Sequence, residues 1–165
     1  MMPWANGKGQ TVEMLRIADA AGLLLRLSRA AVVEDGDFSQ FPGIDRNLTV
    51  IDGPGFDLVG PGRLVAAPFR PVAFAGDVAI RAEGVTGPCE DFNVMLRRGV
   101  LRADVAVMLG GAGTGDVAIF ALEAQVVAGK QVRPWDLVLA DEAVSFSGRA
   151  IRVGLQGLAR GWSNA

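Results

Sequence analysis

The amino-acid sequence predicts an all-β protein whose many short strands close into a sandwich or a barrel. Apolar and polar residues alternate with a period of two along most of the chain, which is the pattern of half-buried strands. Strong turn signals such as Asp52-Gly53-Pro54-Gly55 and Gly60-Pro61-Gly62 interrupt this alternation at short intervals. Half of the 165 residues are apolar, which is enough to form a buried core. Short strands at regular spacing are typical of sandwiches and barrels.

The individual strands follow from the same period of two. Segment 18–29 also has the Ala and Leu content of a helix, so a helix stays the alternative there. The glycine-rich segment 110–115 lacks a Walker lysine and a following helical pattern, and we interpret it as a flexible hairpin rather than a phosphate cradle. The predicted strands are 11–17, 23–33, 48–52, 64–67, 72–80, 92–96, 101–109, 117–122, 137–140, 144–146 and 150–155.

A weak internal repeat favours a duplicated barrel. The block that begins at Val50-Ile51-Asp52-Gly53 and ends at Phe74-Ala75-Gly76 has a counterpart from Ala121-Leu122-Glu123-Ala124 to Phe146-Ser147-Gly148. Repeats of this kind indicate stacked or duplicated units. We therefore expect one compact domain over residues 1–165, built from pseudo-repeats of approximately 1–90 and 91–165.

Composition excludes several classes of function. The chain has no His, which excludes catalytic units that need imidazole and the commonest ligands of zinc and iron. Cys89 is the single cysteine, has no basic neighbour, and cannot form an internal disulfide. We accordingly predict no metal, no cofactor and a reducing, cytoplasmic location.

Charge and hydropathy exclude two further classes of partner. A formal net charge of −2 and an isoelectric point near 5.1 give no basic surface for nucleic acid. The densest apolar stretch, 20–33, is interrupted by arginines and is too short to span a bilayer, and the N-terminus lacks the apolar region of a signal peptide. We therefore expect neither nucleic acid nor a membrane as a partner, and a homodimer is compatible with the sequence.

The strand around residues 91–97 carries candidate ligand-binding residues. Alternation places Asp91, Asn93, Met95 and Arg97 on one face of this strand. A guanidinium can bind a carboxylate through two hydrogen bonds, and an amide offers both a donor and an acceptor. The same pattern also fits a solvated outer face, since alternation does not distinguish the lumen of a barrel from its exterior.

Four other residues, in two pairs, also have two interpretations. Asp45 and Arg46 form either an ion pair that locks a loop or, through Arg46, a contact to the carboxylate of a ligand. Trp4 and Asn6 lie in a glycine-rich segment near the N-terminus. Trp4 is either a core or barrel-closing side chain or, with Asn6, a lid over the ligand.

Three segments together resemble the HutD/Ves family. They are Pro3-Trp4-Ala5-Asn6-Gly7-Lys8-Gly9-Gln10-Thr11-Val12-Glu13, then Phe38-Ser39-Gln40-Phe41-Pro42-Gly43-Ile44-Asp45-Arg46, and finally Phe74-Ala75-Gly76-Asp77 followed by Asp91-Phe92-Asn93-Val94-Met95-Leu96-Arg97-Arg98-Gly99. They occur in the order of the family and cover about the first hundred residues.

This resemblance implies an RmlC-like cupin fold made of two small germin-like barrels. It also implies a role in histidine utilisation, through binding of an acidic intermediate such as N-formylglutamate, without an established catalytic activity. On this basis the expected ligand-binding residues are Arg46, Asn93, Arg97, Asp91, Trp4 and Asn6.

Two other functions remain open at this point. One is a metal-independent isomerase or epimerase, with Asp91 or Asp77 as the general base and Arg46 or Arg97 stabilising an anion. The other is a protein that only binds partners and whose pocket is packed shut.

Overall fold

The regular structure of the described residues, 2–3 and 10–158, consists of β-strands in this computed structural model. No helix is found among those residues, and accordingly none that could cross a membrane. The chain divides into two compact units, residues 1–98 and 99–165. The prediction of an all-β fold is therefore confirmed.

The first unit contains a six-stranded and a four-stranded sheet, with the orders β1-β2-β3-β10-β5-β8 and β4-β9-β6-β7. Its strands are β1 (Met2–Pro3), β2 (Gln10–Asp19), β3 (Gly22–Val32), β4 (Gly36–Asp37), β5 (Ile44–Asp52), β6 (Phe56–Val59), β7 (Arg63–Ala66), β8 (Val72–Ala75), β9 (Arg81–Glu83) and β10 (Cys89–Arg97).

An apolar core lies between the two sheets of the first unit. Alternation on β5 directs Leu48 and Val50 inward, and on β6 it directs Phe56 and Leu58 inward to meet them. All four side chains are buried, so the burial of apolar surface holds the two sheets together. This core fills one part of the space between the sheets, and the inner faces of β3, β5 and β10 also carry polar side chains.

The second unit contains one sheet of order β14-β13-β16-β12-β15, with β11 paired to β16. Its inner face is apolar, and six buried side chains form one cluster: Val117, Ile119, Val127, Val144, Phe146 and Ala150. The strands are β11 (Arg102–Gly113), β12 (Val117–Ala121), β13 (Gln125–Val127), β14 (Lys130–Val132), β15 (Leu137–Ala140) and β16 (Val144–Gln156).

The two units share an order of strands. In the first unit the path runs β3-β10-β5-β8, and in the second it runs β11-β16-β12-β15. They also share a turn in which an aromatic residue after a proline has positive φ, 60° at Phe69 and 72° at Trp135. The backbone N–H of Phe69 donates to the Val50 carbonyl, and that of Trp135 to the Ala121 carbonyl, at 2.9 and 2.7 Å. These parallels agree with a duplicated architecture.

Several predicted element boundaries are wrong. Segment 110–113 is not a hairpin but the end of β11, where a bulge between Leu109 and Gly111 uses positive φ at both Gly110 and Gly111. In segment 18–29, by contrast, the strand prediction is confirmed over its helical alternative, because β2 and β3 form a hairpin there whose turn includes Gly22 with a φ of 105°. The last predicted strands, 144–146 and 150–155, are one strand. The sequence pattern missed β1, β4, β6, β9, β13 and β14, because segments of two to four residues give only a weak period.

The internal repeat is correct only in its first half. Its opening segments, at Val50 and Ala121, lie in or at the end of strands that occupy the same place in the shared order, β5 and β12. Its closing segments do not correspond, because Phe74 lies in β8 whereas Phe146 lies in β16. A three-residue match such as Phe-x-Gly is too short to distinguish strands by sequence alone.

Candidate functional site

A cavity of about 200 Å³ opens within the first unit. Strands β2, β3, β5 and β10 supply its wall, and the segment between β4 and β5 covers it. Six of the ten lining residues are polar, unlike those of the apolar core beside it. The lining residues are Thr11, Arg26, Ser28, Ala30, Phe38, Ser39, Phe41, Arg46, Asn93 and Met95.

Arg46 is the buried cation of this cavity, with only 7% of its surface exposed. It shares the inner face of β5 with Leu48 because the two residues are one period apart. One terminal nitrogen, Nη2, donates to Asn93 Oδ1 at 3.0 Å, and Nη1 lies 3.4 Å from the Ser39 carbonyl oxygen. Burial lowers the pKa of Arg46 to about 10, so the guanidinium is still charged at neutral pH.

Three aromatic rings surround the Arg46 guanidinium. Its central carbon lies 5.3 Å from the ring centre of Phe38, 5.6 Å from that of Phe41 and 5.0 Å from that of Phe74. Ring faces attract a cation and exclude water without neutralising its charge. The positive charge is therefore held in place and remains available to an anion in the cavity.

Asp91 and Asn93 extend the polar network along the inner face of β10. The amide nitrogen of Asn93 donates to Asp91 Oδ1, while the amide oxygen accepts from Arg46. Asp91 is fully buried and is not among the residues that line the cavity. Burial raises the pKa of Asp91 to about 7, although the nearby positive charge of Arg46 opposes the shift.

A second cation, Arg26, lines the cavity from β3. Its Nε lies 2.9 Å from Glu13 Oε2 on β2, an ion pair whose N–H is not aligned for a hydrogen bond. The register of β3 and β10 places Ser28 opposite Asn93 and Arg26 opposite Met95, so these side chains share the inner face. Neither Arg26 nor Ser28 was predicted as a site residue, although both lie on one alternating face of segment 23–33.

The segment that covers the cavity is anchored from outside. The backbone N–H of Phe41 donates to the Gly76 carbonyl at 2.7 Å, and that of Gly43 donates to Asp77 Oδ1 at 2.8 Å. Arg98 Nη2 donates to Asp77 Oδ2 at 2.6 Å. The hydrogen bond from Gly43, and after it the one from Arg98, lowers the pKa of Asp77. Asp77 is thus an ionised loop anchor outside the cavity lining, in a poor position to act as a general base.

Asp45 and Arg46 point to opposite faces of β5. Arg98 Nε donates to Asp45 Oδ1 at 2.7 Å, so the partner of Asp45 is Arg98 and not its neighbour Arg46. This geometry matches the interpretation in which Arg46 reaches a pocket.

The structure places Arg97 apart from the cavity. Its Nη1 and Nη2 donate to the two carboxylate oxygens of Asp19 at 2.8 and 2.7 Å, and its Nε donates to the Leu23 carbonyl at 3.0 Å. Arg97 therefore ties the turn between β2 and β3 to the end of β10. This differs from its expected place beside Asn93, because β10 carries it beyond the cavity to the hairpin. Trp4 and Asn6 lie outside the described residues.

Within residues 2–3 and 10–158, no group of three Cys, Asp or Glu side chains is arranged to hold a metal. Cys89 is buried at the start of β10, and burial raises the pKa of its thiol. A protonated, enclosed thiol is a poor nucleophile. Arg46, Arg26, Ser28 and Asn93 equip the described cavity for recognition of charge and for hydrogen bonding.

Comparison with known proteins identifies relatives over nearly the whole chain. The family model HutD matches residues 1–160. Protein Ves of Cronobacter sakazakii is 36% identical over 107 residues, 63% of this chain and only 59% of the length of that relative. HutD from Pseudomonas fluorescens SBW25 is 31% identical, with a TM-score of 0.86 over 94% of this chain and 92% of its own.

A more distant neighbour shows the fold alone. A cupin 2 conserved barrel domain protein from Leptotrichia buccalis is 9% identical and has a TM-score of 0.55 over 90% of this chain and 89% of its own. The predicted cupin-like fold is therefore confirmed.

Proposed function

The chain belongs to the HutD family, and we propose that it is a non-catalytic protein that binds a small carboxylic acid in the Arg46 cavity. The observation that carries this proposal is a buried guanidinium that faces a cavity whose lining, among the described residues, contains no carboxylate. Among the described residues, Arg46 forms no ion pair, and its Nε has no hydrogen-bond acceptor. A buried charge of this kind is costly unless an opposite charge and further hydrogen bonds compensate it. A ligand carboxylate supplies both.

The shape of the cavity favours a small acid. A cavity of 150 Å³ can hold a benzene molecule, so about 200 Å³ suits a ligand of roughly ten non-hydrogen atoms. Arg46 and Arg26 supply positive charge, Ser28 and Asn93 supply neutral hydrogen-bonding groups, and Met95 supplies apolar wall. This combination suits an acid with a second carboxylate or an amide. N-formylglutamate, an acidic intermediate of histidine breakdown, has these groups, and its binding would serve a regulatory role in that pathway.

A metal-independent isomerase or epimerase is the competing function, and one observation favours it. Asp91 has a raised pKa of about 7, which is near the optimum for a general base. However, Asn93 stands between Asp91 and the cavity, and a base must lie within hydrogen-bonding reach of the proton that it removes. Binding without turnover is therefore the better proposal. Recovery of unchanged acid after long incubation with the protein is expected, and formation of a product would favour the enzyme.

A thermal-shift series tests the acid site. N-formylglutamate, glutamate and urocanate are added to the wild-type protein, to Arg46→Met and to Arg152→Met, a control in the second unit where Arg152 donates to Asp104. An acid at a hundredfold excess over its Kd stabilises the folded state by about 2.7 kcal/mol. We expect the wild type and Arg152→Met to respond alike and Arg46→Met to lose the response. The proposal fails if no acid raises the melting temperature at millimolar concentration, or if Arg46→Met responds like the wild type.

A further inference from the structure

We propose that Asp91 is a positioning residue that couples the binding of an acid at Arg46 to the uptake of a proton from solvent. This inference rests on the proposed function and specifies how pH regulates that same site. Asp91 acts through Asn93 and does not touch the ligand.

The first argument is the orientation of the Asn93 side chain. An amide can face either way, and here its nitrogen donates to Asp91 Oδ1 while its oxygen accepts from Arg46 Nη2. The carboxyl group of Asp91 thus fixes the orientation of the Asn93 amide, so that the amide oxygen points to Arg46 and holds the guanidinium toward the cavity. Asn93 is 3% exposed and Asp91 is fully buried, so water cannot substitute for either partner.

The second argument is the balance of charge around Asp91. On its own strand, Glu90 faces the opposite way and pairs with Arg29 of β3 at 3.0 Å, and its negative charge adds to the rise in the pKa of Asp91. On β2 and β3, Glu13 and Arg26 pair with each other.

The remaining charged neighbours lie on β5. Asp52 acts on Glu90 and Cys89, whereas Arg46 is the cation that acts on Asp91. An ionised Asp91 and Arg46 therefore attract each other across Asn93 but form no ion pair, so the Arg46 charge still faces the cavity. A ligand carboxylate at Arg46 offsets that attraction and leaves an ionised Asp91 as an excess negative charge.

The third argument is that Asp91 Oδ2 can take up the proton. Among the described residues, none donates a hydrogen bond to Asp91 Oδ2, although this atom is buried. An ionised carboxylate without donors at one oxygen is poorly stabilised. The pKa of Asp91, raised by burial to about 7, means that ligand-free protein holds both protonation states near neutral pH. On binding, a solvent proton adds to Asp91, the ligand stays an anion, and no covalent bond of the ligand changes.

Linkage then fixes the direction of the pH dependence. Because anion binding favours protonated Asp91, protonation of Asp91 favours anion binding to the same extent. Above the pKa of ligand-free Asp91 the affinity falls with rising pH, by at most about tenfold per pH unit. Carboxyl groups of the ligand are fully ionised above pH 6 and do not contribute to this slope.

Calorimetry with N-formylglutamate between pH 6 and pH 9, at constant ionic strength, tests the inference. Titrations in two buffers of different ionisation enthalpy measure the number of protons taken up. The variants are Asp91→Asn, which keeps the shape without the charge, and Glu90→Gln as a matched control, because Glu90 is the next residue and its pKa is also raised by burial. We expect proton uptake and a falling affinity in the wild type and in Glu90→Gln, and a nearly constant affinity without uptake in Asp91→Asn.

The outcomes separate this inference from the proposed function. Wild-type protein that binds with the same affinity at every pH, or a slope that persists in Asp91→Asn, overturns the role of Asp91 and leaves the acid site intact. Absence of binding at every pH overturns the acid site and the coupling with it. A slope that disappears in Glu90→Gln instead assigns the proton to Glu90 and also refutes the inference.

Discussion

The two units of this protein have the same order of strands and different interiors. In the first unit the inner faces of β3, β5 and β10 bring Arg26, Arg46 and Asn93 to a cavity. In the second unit the same inner region holds an apolar cluster that includes Ile119 and Phe146. One topology therefore supports both a lined cavity and a filled core, and the choice depends on a few inward-facing side chains.

The arginines of the two units show the same difference. Arg152, on β16 of the second unit, donates to its own carboxylate, Asp104. Arg46 in the first unit has aromatic rings and neutral oxygens as neighbours. An arginine with its own counter-ion has little to offer to an anion, whereas Arg46 keeps a net charge that faces the cavity. In the proposed function, the first unit is therefore the one that binds the acid.

The largest expected effect comes from opening the filled core. Phe146→Ala should lower the free energy of unfolding by about 3–5 kcal/mol, because it removes buried contacts and leaves a void. Urea denaturation measures this cost, and Leu109→Ala, at a position that is 78% exposed in the same unit, should cost below about 0.5 kcal/mol. The folded variant should still respond to acid. A cost below about 1 kcal/mol for Phe146→Ala would mean that the second interior is not tightly packed.

The next effect is the pH dependence of stability, which should originate in the first unit. The folded-state pKa of Asp91, about 7, is above its unfolded value, near 3.9. Between these values the folded protein holds a proton that the unfolded chain has released. The contribution of Asp91 to stability is therefore fully present below about pH 4 and is lost between about pH 4 and pH 7, by as much as about 4 kcal/mol.

Urea denaturation at a series of pH values tests that decline against two variants. Asp91→Asn should largely remove the decline of stability with pH. Glu90→Gln should keep most of the decline and lose only a smaller part, since the raised pKa of Glu90 adds a contribution of the same sign. Equal slopes in Asp91→Asn and the wild type would contradict the assignment to Asp91.

A third experiment makes the first interior resemble the second. The combined change Arg46→Met, Asp91→Leu and Asn93→Leu replaces the buried polar network by apolar side chains of similar size. Such replacements often leave stability unchanged or raise it by about 1–4 kcal/mol, while function is lost. Denaturation and the acid-induced thermal shift measure both quantities. A strong loss of stability would show that the network supports the fold and is not kept only for binding.

The smallest effect concerns Arg97. Arg97→Ala removes the bonds to Asp19 and to the turn of the β2–β3 hairpin, and should lower stability only slightly because exposed ion pairs are screened by solvent. The acid-induced shift should survive, since Arg97 does not line the cavity. If the shift disappears while the fold remains stable, Arg97 belongs to the acid site after all.

Local sequence patterns were sufficient for the fold class and for part of the site. The period of two predicts an all-β chain because adjacent side chains of a strand point to opposite faces. The same rule placed Asp91, Asn93 and Met95 together, and all three are buried on one face of β10. The absence of His limits the available chemistry by composition alone. The motifs around Asn93 and Arg46 identified the family before any contact was known.

Only the tertiary structure decided which of these faces encloses a cavity. Alternation is the same for an inner and an outer face, and the curvature of the sheet determines which is covered. The register between β3 and β10 brings Ser28 opposite Asn93, and no local pattern contains that distant pairing. Arg97 continues the alternation of β10 and yet meets Asp19, because the β2–β3 hairpin ends beside it. The sequence determined the faces through local geometry, while long-range strand pairing determined what each face meets.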